Sequence, residues 1–142
     1  MRIATMVATS AVGLVLAAYP STLDYAVAAP SFDGTWTTVV ACSQFGDVKG
    51  YHWRFPTRVQ GGELSGHITN PDNSSGDLSG TIGDDGNAQL TMLGRAGNSD
   101  FNYNHAAAGS TVRYTVTAHF GARSGSGKRN EQRPCSLTFT KN

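Results

Sequence analysis

Two cysteines, four histidines and a cluster of basic residues near the C-terminus are the reactive or ligand-binding side chains of this sequence. Cys42 and Cys135 are separated by 92 residues, and neither belongs to a C-x-x-C motif. A metal or redox pair would want closer spacing, so the pair reads as a disulfide. It would close a loop of about 94 residues, worth roughly 4 to 5 kcal/mol by loss of chain entropy. His52, His67 and His119 occupy the polar positions of alternating segments, too far apart to chelate together, and the pattern does not place His105. Asp72, Asn73, Asp84 and Asp85 lack the ligand spacing of a calcium loop, and Asp84-Asp85 reads as turn chemistry. No metal site and no cofactor are expected.

Catalysis finds little to work with. There is no G-x-S-x-G nucleophile elbow. Glu63 and Glu131 are the only glutamates, and Glu63 stands beside a hairpin turn, so no opposed carboxylate pair can be argued. A non-enzymatic protein is expected. Arg123, Lys128, Arg129 and Arg133 fall within eleven residues, opposed only by Glu131. Interspersed Gly and Ser make residues 121–133 read as a mobile loop. Such a loop could recognise an anion or a partner, such as lipid phosphate, polysaccharide or an acidic protein. The plainer alternative is a solvated loop.

The elements that would position these groups are strands. In residues 51–59, Tyr51, Trp53, Phe55, Thr57 and Val59 alternate with His52, Arg54, Pro56 and Arg58. Gly61-Gly62 signals a two-residue hairpin. Its register pairs Gln60 with Glu63, Val59 with Leu64, Thr57 with Gly66 and Phe55 with Ile68, which places every apolar partner on one face. The turn Asp84-Asp85-Gly86 sets Ile82 against Ala88, Gly80 against Leu90 and Leu78 against Met92. Residues 112–120 and 135–139 alternate similarly, residues 35–42 form the first strand, and residues 100–107 are read as another.

Seven or eight strands joined by short connections predict an all-β fold: a small antiparallel up-and-down β-barrel. The cysteines lie on the first and last strands, both facing inward, and their bond would join the two edges. An open sandwich is the second choice. The segments Leu64-Ser65-Gly66-His67-Ile68 and Leu78-Ser79-Gly80-Thr81-Ile82 repeat at a spacing of 14. They read as adjacent strands that each need a small residue at one level rather than as a duplication. Trp36, Tyr51, Trp53, Phe55, Tyr114, Phe120 and Phe139 face inward. They either fill the barrel or line a pocket at one mouth, and a small barrel favours mostly filling.

The N-terminus has a different character. Met1-Arg2 is followed by an uncharged, mostly apolar stretch over residues 3–18, then a polar stretch and Ala26-Val27-Ala28. This is the pattern of a signal peptide spanning residues 1–28, leaving a single domain of residues 29–142. The apolar run falls short of the roughly 20 residues a membrane span needs. A periplasmic or extracellular location follows, with no transmembrane segment in the mature chain. The charge is nearly balanced, with 11 basic and 10 acidic residues and a net +1. That argues against a nucleic-acid partner.

Phe32-Asp33-Gly34-Thr35-Trp36 resembles the Gly-x-Trp first-strand signature of the calycins. There the Trp plugs one barrel end and is crossed by a basic side chain, a role the resemblance would assign to Lys141 or Arg133. The F-D-G-x-W start, Cys42, the two L-S-G-x-I segments, Asp85-Gly86 and Cys135 together resemble a group of small exported bacterial proteins. That resemblance implies fold and export but no activity. The expectation is a non-catalytic binding or interaction module of the cell envelope. The alternatives are a calycin-like carrier of a small apolar ligand and an inhibitor of an envelope-targeting hydrolase. Partners would be an envelope protein, an anionic lipid or a small apolar molecule.

Overall fold

The computed structural model describes residues 31–142, with Gly13 alone before them; the expected signal peptide lies outside the described residues. Eight antiparallel strands follow one another in chain order and close on themselves. They are β1 (Gly34–Cys42), β2 (Tyr51–Gln60), β3 (Glu63–Thr69), β4 (Ser75–Ile82), β5 (Asn87–Arg95), β6 (Thr111–Phe120), β7 (Ser124–Arg129) and β8 (Cys135–Lys141). The barrel is the expected up-and-down meander.

Both hairpin registers follow from turn chemistry. Gly61 and Gly62 adopt φ of 58° and 78°, the left-handed conformation that glycine takes without steric cost. They set Gln60 against Glu63, Val59 against Leu64 and Thr57 against Gly66. The expected Phe55–Ile68 pair does not form, because the ladder ends at Thr57–Gly66. The next position on β2 is Pro56, which has no N–H to donate. Gly86, at φ 85°, turns β4 into β5, and Ile82–Ala88, Gly80–Leu90 and Leu78–Met92 pair as expected. The two L-S-G-x-I segments run antiparallel as β3 and β4. Each glycine therefore faces the other segment's leucine, as Leu64–Gly80 and Gly66–Leu78.

Two expectations are corrected. Residues 100–107 form no strand. Ser99–Phe101 and Tyr103–His105 are 3-10 turns, the first capped by the Asn98 side chain accepting from the Asp100 N–H at 3.0 Å. The Asn98 cap and the bonds that Asn102 donates to the Gly97 and Ala106 carbonyls organise the segment, and no alternating apolar face opposes them. Residues 121–133 are not one mobile loop, because Ser124–Arg129 is β7 and pairs with both β6 and β8. Its small residues pack under the neighbouring strands. Gly127 lies opposite Ala118 and Leu137, which hides the apolar alternation that marks the other strands.

The seam between β1 and β8 contains seven register pairs, from Trp36–Lys141 to Cys42–Cys135, and the two cysteines form the disulfide. Closure thus rests on a backbone ladder with the disulfide at one end of it. The interior is apolar and the outer face polar. Leu64, Leu78, Leu90, Val116 and Leu137 are buried, while Arg54, Arg58, His67 and Asp77 are exposed. A membrane-spanning barrel has the inverse arrangement. Among the described residues no helix is long and apolar enough to cross a membrane.

Candidate ligand-binding mouth

The two ends of the barrel are built differently. At one end the connections are tight: residues 61–62, 83–86 and 121–123. The F-D-G-T-W segment plugs this end. Trp36 is fully buried and donates its indole N–H to the Phe32 carbonyl at 2.8 Å. Its ring meets Phe120 edge-on at 5.4 Å, and Phe120 lies 4.6 Å from Phe139. Lys141 Nζ stands 5.9 Å from the Trp36 ring. The Asp33 carboxylate accepts from the N–H groups of Gly61 and Gly62 at 3.1 and 3.2 Å. These bonds hold its pKa below the usual carboxylate range, the Gly61 bond contributing most.

The other end is surrounded by the longer connections, residues 43–50, 70–74, 96–110 and 130–134. The last three of these, with the strand ends beneath them, line a cavity of about 400 Å³, within the roughly 300–1,000 Å³ of small-molecule sites. Trp53, Met92 and Val112 give it apolar walls, and Tyr51, Tyr114, Arg129 and Arg133 supply polar groups. The expected lining residues therefore divide. Tyr51, Trp53 and Tyr114 line the cavity. Trp36, Phe55 and Phe120 do not, because they sit in the core toward the plugged end of their strands. The interior is filled at one end and hollow at the other, where mostly filled was expected.

The basic cluster also divides. Arg123, in the connection before β7, and Lys128, on β7, are exposed, whereas Arg129 on β7 and Arg133 in the connection after it turn inward and are 9% and 2% exposed. The strand's two-residue period separates Lys128 from Arg129. The four residues do not form one surface patch.

Arg133 ties the rim together. Its guanidinium donates to the carbonyls of Phe101 at 3.0 Å and Lys49 at 3.2 Å, and to that of Ser43. Three rim connections thereby share one side chain. Arg129 stacks on the Tyr114 ring, its guanidinium carbon 3.8 Å from the ring centre. Its Nε donates to the Glu131 carbonyl at 2.9 Å, one terminal nitrogen donates to Gln132 Oε1, and the other has only Cys135 Sγ at 3.9 Å. Burial lowers the Arg129 pKa, with Tyr114 and Tyr51 opposing the shift. Burial also pushes the Tyr51 and Tyr114 hydroxyls up, so both remain protonated donors at neutral pH.

Carboxylates at this end are engaged elsewhere. Glu131 accepts from the Thr115 N–H at 2.7 Å and its hydroxyl at 2.5 Å, which lowers its pKa. Asp72 accepts from the Ser74 hydroxyl and N–H at 2.6 and 3.0 Å and from the Asn98 N–H at 3.1 Å. The histidines lie on the outside: His67 bonds Asp77 at 2.7 Å, His105 bonds Asp47 at 2.9 Å, and His119 bonds Asn87 at 3.0 Å. His52 is exposed at the rim. Among the described residues no three His, Cys, Asp or Glu side chains gather as a metal site would require.

No family model, curated protein or solved structure matches this chain. The functional reading therefore rests on the mouth itself. Sequence pattern identified its aromatic walls but missed Arg129 and Arg133 as interior groups. One signal was available: continuing the inward parity of Cys135, Leu137 and Phe139 backward along the chain reaches Arg133 and Arg129.

Proposed function

We propose that this protein is an exported, non-catalytic binding module that takes a small, largely apolar molecule into the open mouth of its barrel. The observation that carries this reading is the asymmetry of the interior. Trp36, Phe120 and Phe139 close one end with apolar packing, while a cavity of about 400 Å³ stands at the other between Trp53, Val112 and Tyr114. A concave, mostly apolar site with a few convergent polar groups is the usual form of a small-molecule pocket. The disulfide is compatible with an oxidising compartment. Export itself rests on the pattern of residues 1–28, and N-terminal sequencing of the extracytoplasmic protein tests it.

An inhibitor would need an exposed recognition loop. Residues 121–133 were the candidate, but their strand and inward arginines leave only Arg123 and Lys128 as exposed cations there. The mouth is therefore the favoured site.

Trp53 lines the mouth, and Trp36 is sealed at the far end. Titration with a panel of charged and uncharged naphthalene-sized molecules should change the emission of Trp53. Val112→Phe, which fills the mouth, should suppress both the emission change and the heat of binding. If no member of the panel alters Trp53 emission, or if Val112→Phe leaves binding intact, the mouth is not the site.

A further inference from the structure

We infer that the mouth receives the carboxylate of a small aromatic or short-chain organic acid, held by Arg129 and the Tyr114 hydroxyl. This inference rests on the reading of the mouth as a ligand site and adds the chemical class of the ligand.

The polar groups within the mouth are unbalanced. Arg129 and Arg133 are nearly buried, yet neither has a carboxylate partner. The ion pairs among the described residues are Lys49–Asp100, His67–Asp77 and His105–Asp47, all on exposed side chains. Glu131 and Asp72 already accept bonds from Thr115, Ser74 and Asn98. A buried cation ordinarily pairs with an anion, because desolvation otherwise goes uncompensated.

Unpartnered donors point the same way. Tyr114 is 2% exposed, and its hydroxyl has no hydrogen-bond partner; Arg133 Nε is likewise buried without one. On Arg129, the nitrogen facing the disulfide has only a sulfur at 3.9 Å, a weak acceptor. Tyr51, Tyr114, Arg129 and Arg133 all stand in the lining of one cavity, with the Tyr114 hydroxyl and Arg133 Nε buried just behind its surface. The complement of such a set is a small anionic acceptor. Trp53, Met92 and Val112 require that it carry an apolar body. A carboxylate meets both demands, since its oxygens accept from guanidinium and phenol at once.

The test compares dansylglycine with dansylglycinamide, which share an apolar body and differ in the charged oxygen. Both are titrated into the purified disulfide-bonded protein at neutral pH, read by dansyl emission and by energy transfer from Trp53. The acid should bind at least about tenfold more tightly than the amide, the difference expected from one hydrogen bond to a charged group. Tyr114→Phe should remove most of that preference. Arg129→Met should abolish it. Equal affinities for acid and amide would overturn the carboxylate inference and leave the mouth as a binding site. A preference for the acid that persists in both variants would also overturn it, because the charge would be read elsewhere. Binding of neither probe would overturn both readings.

Discussion

The guanidinium carbon of Arg129 stands over the ring of Tyr114, 3.8 Å from its centre, and the Tyr114 hydroxyl has no partner. The ring contributes as an apolar face and a cation–π surface. Its oxygen contributes nothing to the unliganded fold and stands as a buried, unpaired dipole. Leaving such a group unsatisfied costs about 1–3 kcal/mol. Tyr114→Phe is therefore expected to be as stable as the parent, or up to about 1 kcal/mol more stable, in urea unfolding. Tyr114→Leu removes the ring from under Arg129 and should destabilise by about 2 kcal/mol or more. A loss of stability in the Phe variant similar to that in the Leu variant would mean the hydroxyl is bonded after all.

Alkaline pH should act through the same two tyrosines. Burial raises the Tyr51 and Tyr114 pKa values above the ordinary tyrosine value, because desolvation penalises the phenolate. A pKa raised in the folded state gives a contribution present below the unfolded value, near 10, and lost as pH climbs through the folded value. Stability should fall above about pH 10, and the phenolate absorbance of these residues should emerge late, together with unfolding. Tyr114→Phe should make the decline shallower. An early phenolate signal from both residues in the folded protein would contradict their burial.

The disulfide and the seam ladder predict separable effects. Replacing Cys42 and Cys135 with Ser, or reducing them, releases a loop spanning a sequence separation of 93. The chain-entropy estimate is a loss of about 4–5 kcal/mol, seen as a lower denaturation midpoint. The β1–β8 ladder still pairs from Trp36–Lys141 onward, so the sheet's circular dichroism should persist in buffer. Loss of that signal on reduction without denaturant would show that the disulfide alone keeps the barrel closed.

Within the core, the hydroxyls of Thr38 and Thr57 bond each other at 2.8 Å, with both residues buried on facing strands. Thr38→Val leaves the Thr57 hydroxyl unpaired and should cost about 1–3 kcal/mol. Thr57→Val should act alike. The double Val variant removes both dipoles and should recover most of the loss. Additive losses in the double variant, measured by thermal or urea unfolding, would mean the pair is bonded to other groups.

The strand pattern was readable because one buried face per strand imposes a two-residue period. Residues 51–59 and 112–120 show it plainly, and the hairpin turns at Gly61-Gly62 and Gly86 set the β2–β3 and β4–β5 registers. Where the period is muted, the reading failed. β7 (Ser-Gly-Ser-Gly-Lys-Arg) puts glycine where other strands put leucine, since Phe120, Ala118 and Val116 of β6 already crowd the positions a side chain at Gly125 or Gly127 would take. Residues 99–105 carry Tyr and Phe but are organised by Asn98 capping and carbonyl bonding from Asn102 rather than by alternation.

An all-β meander, inward-facing cysteines on its first and last strands, and the aromatics that face the interior are all legible in the order of residues along the chain. Those properties depend on local turn geometry and on side-chain parity, both written along the chain. How far along the barrel each inward residue sits emerges only with the folded sheet. Height separates the Trp36–Phe120–Phe139 plug from the Trp53–Tyr114 mouth, and it depends on strand stagger around a closed sheet, which parity does not encode. The same closure turned Arg129 from an apparent surface charge into an interior one, because a strand's two faces become inside and outside only once the sheet has closed, and the rim carbonyls of Ser43, Lys49 and Phe101 bury Arg133.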